Sequence, residues 1–421
     1  MTRQWLVVTA IVTLAVALSS GGEPYFNALI GAFRPVDLAG NIAASREFIA
    51  GGNPYQADFA RLDAAVFGLP ASEGRPFFPH PPLAVFLIAP LAVVPVPAAA
   101  AIWFALSIGL LFVLAVLLSE AVLSAPADRP SVGLPPGAIV FTIFLTLLVW
   151  PPVLYNLEKG QWSILLSLLV ALVWRSLARG RPNEAGLTAG LAAGVKVFPA
   201  LLAVYLLLRG RRPFVWFVVT SSILFLLPLA LIGPAAFAGF LANSQANLAY
   251  WETWLGVTHS LYGATARALI GGRWAQPIVH TPVLARLLVG IVGLALVATA
   301  AWTTGRGQVA DEREGARFAT FATLLVLLNP LAMGHNGVLL ALPIALVGRA
   351  LVGELRFWPK AAWAAGVVLV SIPKETVFRL ASIPVSPARG LAVVALGCWG
   401  ALLLFSAAVG VALRRTPAMD K

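Results

Sequence analysis

Residues 184–208 read EAGLTAGLAAGVKVFPALLAVYLLL. The length suits one membrane-crossing helix, which needs about 20 apolar residues. Two features argue against a single span. Arg175, Arg179 and Arg181 precede the run, and Arg209, Arg211 and Arg212 follow it. Lys and Arg in short loops stay on the cytoplasmic side, so one span would carry one cluster to the wrong face. Lys196 also stands inside the run, between Val195 and Val197. Gly194 and Pro199 bracket it, and both residue types make a helix break cheap. The stretch therefore reads as two half-depth helices, 184–195 and 197–208, meeting at an apex. Lys196 then lies near the outer surface and faces a cavity, because such short helices need protein or a cavity to satisfy their backbone.

The same rule orders the rest of the chain. Apolar runs predict further helices at 5–20, 97–120, 137–154, 162–176, 213–232, 283–303, 317–333, 336–351, 361–378 and 390–413. Arg3, Arg129, the stretch from Arg306 to Arg317, the stretch from Arg349 to Lys360, and Arg414 with Arg415 all read as cytoplasmic. With the N-terminus inside, about twelve spans satisfy every cluster. The segment 81–96, PPLAVFLIAPLAVVPV, is short and broken by prolines. It reads as a helix lying in or dipping into the outer interface, not a full span. Trp5–Ser19 resembles a signal peptide, but the spans that follow favour an uncleaved first helix. The expected class is an all-α polytopic membrane protein, one domain over residues 1–421. Two long outer segments, 21–96 and 233–282, are rich in Asn, Trp, Tyr and Pro.

Composition agrees with that class. Of 421 residues, 60% are hydrophobic and 11% charged, against about 25% charged in a soluble domain. The net charge of +12 sits in short clusters between apolar runs, so nucleic acid is not an expected partner. Cys398 is the single cysteine, which excludes an internal disulfide framework and a cysteine-ligated zinc.

On this topology His80, His259, His280 and His335 all lie on the outer side. So do Glu23, Asp37, Glu47, Asp58, Asp63, Glu73, Glu158, Glu252 and Glu375, so chemistry faces outward. Asp37 opens a helix on which Leu38, Ile42, Ser45 and Ile49 share a face, and that helix is expected to lie amphipathically on the membrane. Asp37 reads either as a helix cap or as a carboxylate that takes a proton from an incoming hydroxyl. GGNPY at 51–55 is turn chemistry. FPHPPL at 78–83 is a rigid extended entry, with His80 facing a cavity or the headgroups. In NLEKGQW at 156–162, Lys159 and Gln161 could bind a polar headgroup, and Lys159 reads most simply as snorkelling. Gln161 opens an apolar helix, where an amide is costly unless paired. Lys196 is a functional candidate by its depth and binds a phosphate as a point charge; a structural salt bridge is the alternative. NPLAMGHN at 329–336 is a tight outer turn or a headgroup contact.

Taken in order, these pieces resemble glycosyltransferase family 87, polyprenyl-phosphate-sugar-dependent enzymes with the GT-C membrane fold. The series runs from Asp37 through GGNPY, FPHPPL, Pro90-Leu91, Trp103 and GQW at 160–162. It continues through the glycine-spaced run from Ala185 to Lys196 and Pro199, HSL at 259–261, and NPLAMGHN. The resemblance implies a GT-C-like bundle. Outer loop 21–96 would carry the base and loop 233–282 would cover the cavity. Asp37 is then the general base, and Lys196, His335 and Gln161 bind the donor phosphate. His80, Tyr55, Asn247, Trp251, Glu252 and His259 contact acceptor or sugar. The implied partners are a polyprenyl-phosphate hexose (mannose in the family), a lipid or glycan acceptor, and membrane lipids. The implied location is the bacterial cytoplasmic membrane, with inversion at the sugar and the site facing outward. No cofactor is expected: the lipid-phosphate sugar is a substrate, and its leaving group needs no obligatory metal, although the outer acids could still bind one. His80 and Leu331-Ala332-Met333 depart from the family pattern, which bears on the acceptor side. The competing class is a transporter or flippase of a lipid-linked sugar. It would favour related halves, which this sequence lacks.

Overall fold

A computed structural model of the chain describes residues 35–57, 78–123, 135–252, 258–271, 276–305, 313–352, 354–373, 376 and 395–414. The first helix expected at 5–20 lies outside the described residues, as do Glu23, Asp58, Asp63, Glu73 and Glu375. Every regular element among the described residues is helical. In chain order they are α1 (Val36–Ile49), α2 (Pro82–Ala92), α3 (Val96–Leu123), α4 (Pro136–Val149), α5 (Pro151–Lys159), α6 (Ser163–Ala178) and α7 (Pro182–Val195). A 3-10 turn at Phe198–Leu201 leads into α8 (Leu202–Arg209), α9 (Arg211–Ile232), α10 (Pro234–Glu252), α11 (Leu261–Leu269), α12 (Pro282–Gly305) and α13 (Glu314–Leu327). A second 3-10 helix, Gly334–Leu340, precedes α14 (Ala341–Ala350), α15 (Phe357–Val370) and α16 (Leu396–Ala412). Among the described residues α3, α9 and α12 are each long and apolar enough to cross a membrane, and several shorter apolar helices accompany them.

The break at Lys196 is present. Lys196 caps α7 in an extended conformation, φ −144° and ψ 142°. Gly186 lies against Pro213 and Trp216, Gly190 against Phe217 and Thr220, and Gly194 against Leu224. Both series climb together, so α7 and α9 run parallel. The segment between them, ending in α8, must carry the chain back. The glycine spacing is what allows this approach: a β-carbon on Gly190 would stand 2.7 Å from that of Thr220. Small residues of this kind let helix backbones meet inside a bilayer, where apolar burial supplies no drive.

The arginine clusters gather at one end of the bundle. Arg175 and Arg179 reach Glu120 at 2.8 and 3.1 Å, and Arg349 donates to the Ala121 carbonyl at 3.0 Å. Arg209 pairs with Glu314 at 2.5 Å, Arg317 lies 3.6 Å from the same carboxylate, and Tyr205 donates to it. Arg313 donates to the Arg414 carbonyl, and Arg356 to that of Gly410 at 2.8 Å. The 16 residues of α6 rise about 24 Å, which separates these groups from the turn at Gly160.

Two expectations change. The run 137–154 is not continuous: α4 and α5 meet at 62°. Pro151 and Pro152 bias the residue before them away from helix, and Trp150 is extended, with ψ 125°. The other change concerns α1, which does not lie on the bilayer by its apolar face. Leu38, Ile42 and Ser45 are buried in protein, while Ile49, on the same face, is 52% exposed. The Ser45 hydroxyl donates to the Val85 carbonyl at 2.8 Å, and Arg46 donates to those of Ala92 and Val94 at 2.9 Å. The small side chains Ala39, Ala43 and Ala44 let α1 settle into the bundle beside α2.

Candidate active site

The local chemistry that builds the site starts at the end of α5. Gly160 takes the left-handed conformation, φ +66°. The N–H of Gly160 donates to the Leu157 carbonyl at 3.1 Å and that of Gln161 to the Asn156 carbonyl at 3.0 Å, the two bonds of a Schellman stop. The Asn156 amide oxygen then accepts the Ser163 N–H at 2.9 Å, which starts α6. Gly160 is needed twice over. A β-carbon there would lie 2.8 Å from those of both Pro35 and Leu38. The absent side chain lets the turn close on the first turn of α1, where Asp37 sits.

The consequence is a chain of three side chains. Gln161 donates through Nε2 to Asp37 Oδ2. Its Oε1 accepts from Lys196 Nζ at 3.1 Å. Asp37 and Gln161 are each 7% exposed, and Lys196 is half-buried. The cap reading for Asp37 fails on geometry: the N-cap of α1 is Pro35, and no side chain caps the helix. The carboxylate points instead to the amide that joins it to the ammonium. Asn41, one turn on, donates to the Asp37 backbone carbonyl at 2.6 Å.

His335 lies in the first turn of the second 3-10 helix and against Tyr155 of α5, with ring centroids 5.6 Å apart. His259 joins the same turn, because its N–H donates to the Ala332 carbonyl at 2.6 Å and its ring packs on Gly397. Ser260 fastens the segment by donating to the Pro330 carbonyl at 2.9 Å. The remaining sequence candidates form a separate group. The Tyr55 hydroxyl donates to the His80 carbonyl at 2.9 Å. Tyr55 packs on Phe78 and Phe240, and its own carbonyl accepts from Asn243 of α10. Asn247 is buried on α10, while the side chains of Trp251 and Glu252 lie outside the described residues. Gly194 packs on Leu83, so the end of α7 abuts the start of α2 just beyond His80.

Tyr155 and Asn156 carry much of this arrangement and were not singled out from the sequence. The available signal was the spacing Asn156-x-x-x-Gly160 ahead of an apolar run, the form of a helix stop.

A family model described as glycosyltransferase family 87 matches residues 78–330. The chain belongs to glycosyltransferase family 87. The family 87 match contains Gln161 and Lys196 and stops short of Asp37 and His335, which reach it through Gln161 and Tyr155. Over 328 residues the chain is 28% identical to the polyprenol-phosphate-mannose-dependent alpha-(1-2)-phosphatidylinositol mannoside mannosyltransferase of Mycolicibacterium smegmatis. That alignment covers 73% of this chain and 69% of the relative. A shorter match, 28% over 159 residues, is to the polyprenol-phosphate-mannose-dependent alpha-(1-2)-phosphatidylinositol pentamannoside mannosyltransferase of Mycobacterium tuberculosis. It covers 36% of this chain and 34% of the relative.

Proposed function

We propose that this family 87 glycosyltransferase moves a hexose from a polyprenyl-phosphate donor to a hydroxyl of a lipid or glycan acceptor, with inversion. Mannose is the sugar suggested by the two relatives. The observation that carries the reading is the pairing of a carboxylate and an ammonium through one amide, Asp37 to Gln161 to Lys196. Asp37 accepts the proton of the acceptor hydroxyl as its oxygen bonds to the anomeric carbon. The bond from that carbon to the phosphate oxygen breaks on the opposite side, and the phosphate leaves with the electron pair. Base assistance of this kind contributes about 10²–10⁴ in rate. Lys196, with His335 and Gln161, meets the charge that develops on the leaving phosphate. That phosphate carries charge well on its own, so no metal is required.

His80, Asn247, Trp251, Glu252 and His259 are proposed to line the sugar and acceptor path, with Tyr55 holding His80 through its carbonyl. The frame is a GT-C-like bundle of about twelve spans in the bacterial cytoplasmic membrane. The site opens to the outer face. The grouping of the arginines at the opposite end from Gln161 supports that orientation, since Lys and Arg remain cytoplasmic.

The test uses purified protein, radiolabelled polyprenyl-phosphate mannose and a phosphatidylinositol mannoside acceptor. Wild type forms a new glycosidic bond, and Asp37→Asn, folded to the same melting temperature, loses at least a hundredfold in rate, the low end of what a general base supplies. Transfer by the folded variant near the wild-type rate removes Asp37 as the base.

A further inference from the structure

Asn336 lies in the second 3-10 helix, one residue after His335, and is 1% exposed. Its backbone N–H closes a turn on the Met333 carbonyl at 2.9 Å. Its side chain adds no hydrogen bond to the fold: neither Oδ1 nor Nδ2 has a partner among the described residues. Among the described residues it is the one amide with both polar atoms fully buried and idle, since Asn156 and Asn41 each use one. A buried polar group without partners destabilises a protein, and the residues that follow, Val338, Leu339 and Leu340, are buried and apolar.

The turn that holds this amide lies beside the candidate site, next to His335 and Tyr155. Gly334 lies on Tyr155 and Gly337 on Pro152, so the turn that carries Asn336 rides on α5, the helix that leads into Gln161. Ser167 of α6 donates to the Val338 carbonyl at 3.0 Å and ties the same helix to the other side of the turn.

We infer that Asn336 is a substrate-facing residue that reads a pair of adjacent sugar hydroxyls. An amide offers an acceptor and a donor side by side. A phosphate at neutral pH chiefly accepts and would leave Oδ1 unused, and a lipid chain engages neither atom. Two neighbouring hydroxyls, each able to give and to accept, satisfy both. The hydroxyls belong either to the transferred sugar or to a glycan acceptor. The inference rests on the transfer reaction proposed above and goes beyond it by naming the group that recognises the sugar.

The experiment compares wild type, Asn336→Leu and Asn336→Ala in detergent, measuring the melting temperature and the kinetics of transfer with varied donor and acceptor. Asn336→Leu is expected to melt at the wild-type temperature or above while kcat/KM for transfer falls tenfold or more. Sites built to bond a hydroxyl penalise its loss heavily. Asn336→Ala is then assayed with monodeoxy donors and monodeoxy acceptors. For the hydroxyls that Asn336 reads, the penalty seen in wild type disappears in the variant, the signature of a direct pairing. A silenced hydroxyl on the donor assigns the donor sugar, and one on the acceptor assigns the acceptor. The inference is overturned if both variants transfer at wild-type efficiency. It is also overturned if activity and melting temperature fall together with the deoxy penalties unchanged. If wild type transfers nothing from a polyprenyl-phosphate sugar, the proposed reaction fails first; if wild type transfers and the variants match it, only the role of Asn336 falls.

Discussion

Gly160 offers a way to weigh the site's architecture against ordinary helix chemistry, because the fold contains its own control. Gly160 and Gly180 both end helices in the left-handed region, at φ +66° and +68°. Around Gly180 a β-carbon meets nothing within 4 Å, whereas at Gly160 it meets Pro35 and Leu38, both at 2.8 Å. An alanine in the left-handed conformation is less favourable by about 1–2 kcal/mol, and both variants incur that loss. Carbon atoms prefer roughly 3.5–4.0 Å, so Gly160→Ala must also push α1 and the α5–α6 turn apart. Overpacking of this sort destabilises by about 1–3 kcal/mol.

The expected losses are therefore about 1–2 kcal/mol for Gly180→Ala and about 2–5 kcal/mol for Gly160→Ala. Function separates the two further. The displaced contact is the one that brings Gln161 to Asp37, the proposed base, and a misplacement near 1 Å at such a group costs on the order of a hundredfold in rate. Thermal melting in detergent and the sugar-transfer assay, run on both variants, measure the two effects. Gly180→Ala should transfer at the wild-type rate and Gly160→Ala at a small fraction of it. Equal melting temperatures and equal rates for the two variants would refute the idea that close approach at Gly160 builds the site.

Three shorter predictions follow from other contacts. Lys196→Met keeps the length of the stem and removes the charge; donor KM should rise and kcat fall, while Lys196→Arg restores part of the binding and less of the rate. Gly190→Leu fills the space taken by Phe217 and Thr220, so α7 and α9 should separate, with a destabilisation of about 1–3 kcal/mol or more read as a lower melting temperature. At the arginine end, hydrogen bonding from Arg356 lowers the Glu354 carboxyl from 4.5 to about 2. A carboxyl lowered in the folded state stabilises above its unfolded value and loses that contribution as pH falls through the folded one. Glu354→Gln should therefore melt below wild type at neutral pH, by about 1–2 kcal/mol given that the arginine is partly exposed. The gap should close between pH 4.5 and about 2.

What the sequence could and could not convey follows from which constraints are local. Helix content was legible because apolar runs of membrane length have few other uses. The break at Lys196 was legible because two arginine clusters cannot lie on opposite faces, a constraint that acts along the chain. The bend at Trp150 was written in Pro151 and Pro152 but hidden by unbroken hydropathy. The burial of α1 was not legible: Leu38, Ile42 and Ser45 form the same face whether it meets lipid or protein, and only the density of alanines leaned toward protein. Gln161 joins residues 124 and 35 positions away, and no periodicity encodes such a partner.

Polar residues in apolar surroundings were nevertheless the best guide to the candidate site, for an energetic reason. Inside a bilayer an unpaired amide or charge is strongly unfavourable, so such residues persist where a partner or a substrate compensates them. Gln161 and Lys196 find each other and, through Gln161, Asp37. The Asn336 side chain finds no hydrogen-bond partner among the described residues. By the same reasoning that picked out the first three, its compensation comes from a molecule that is not part of the chain. That makes it the residue whose loss should separate activity from stability most cleanly.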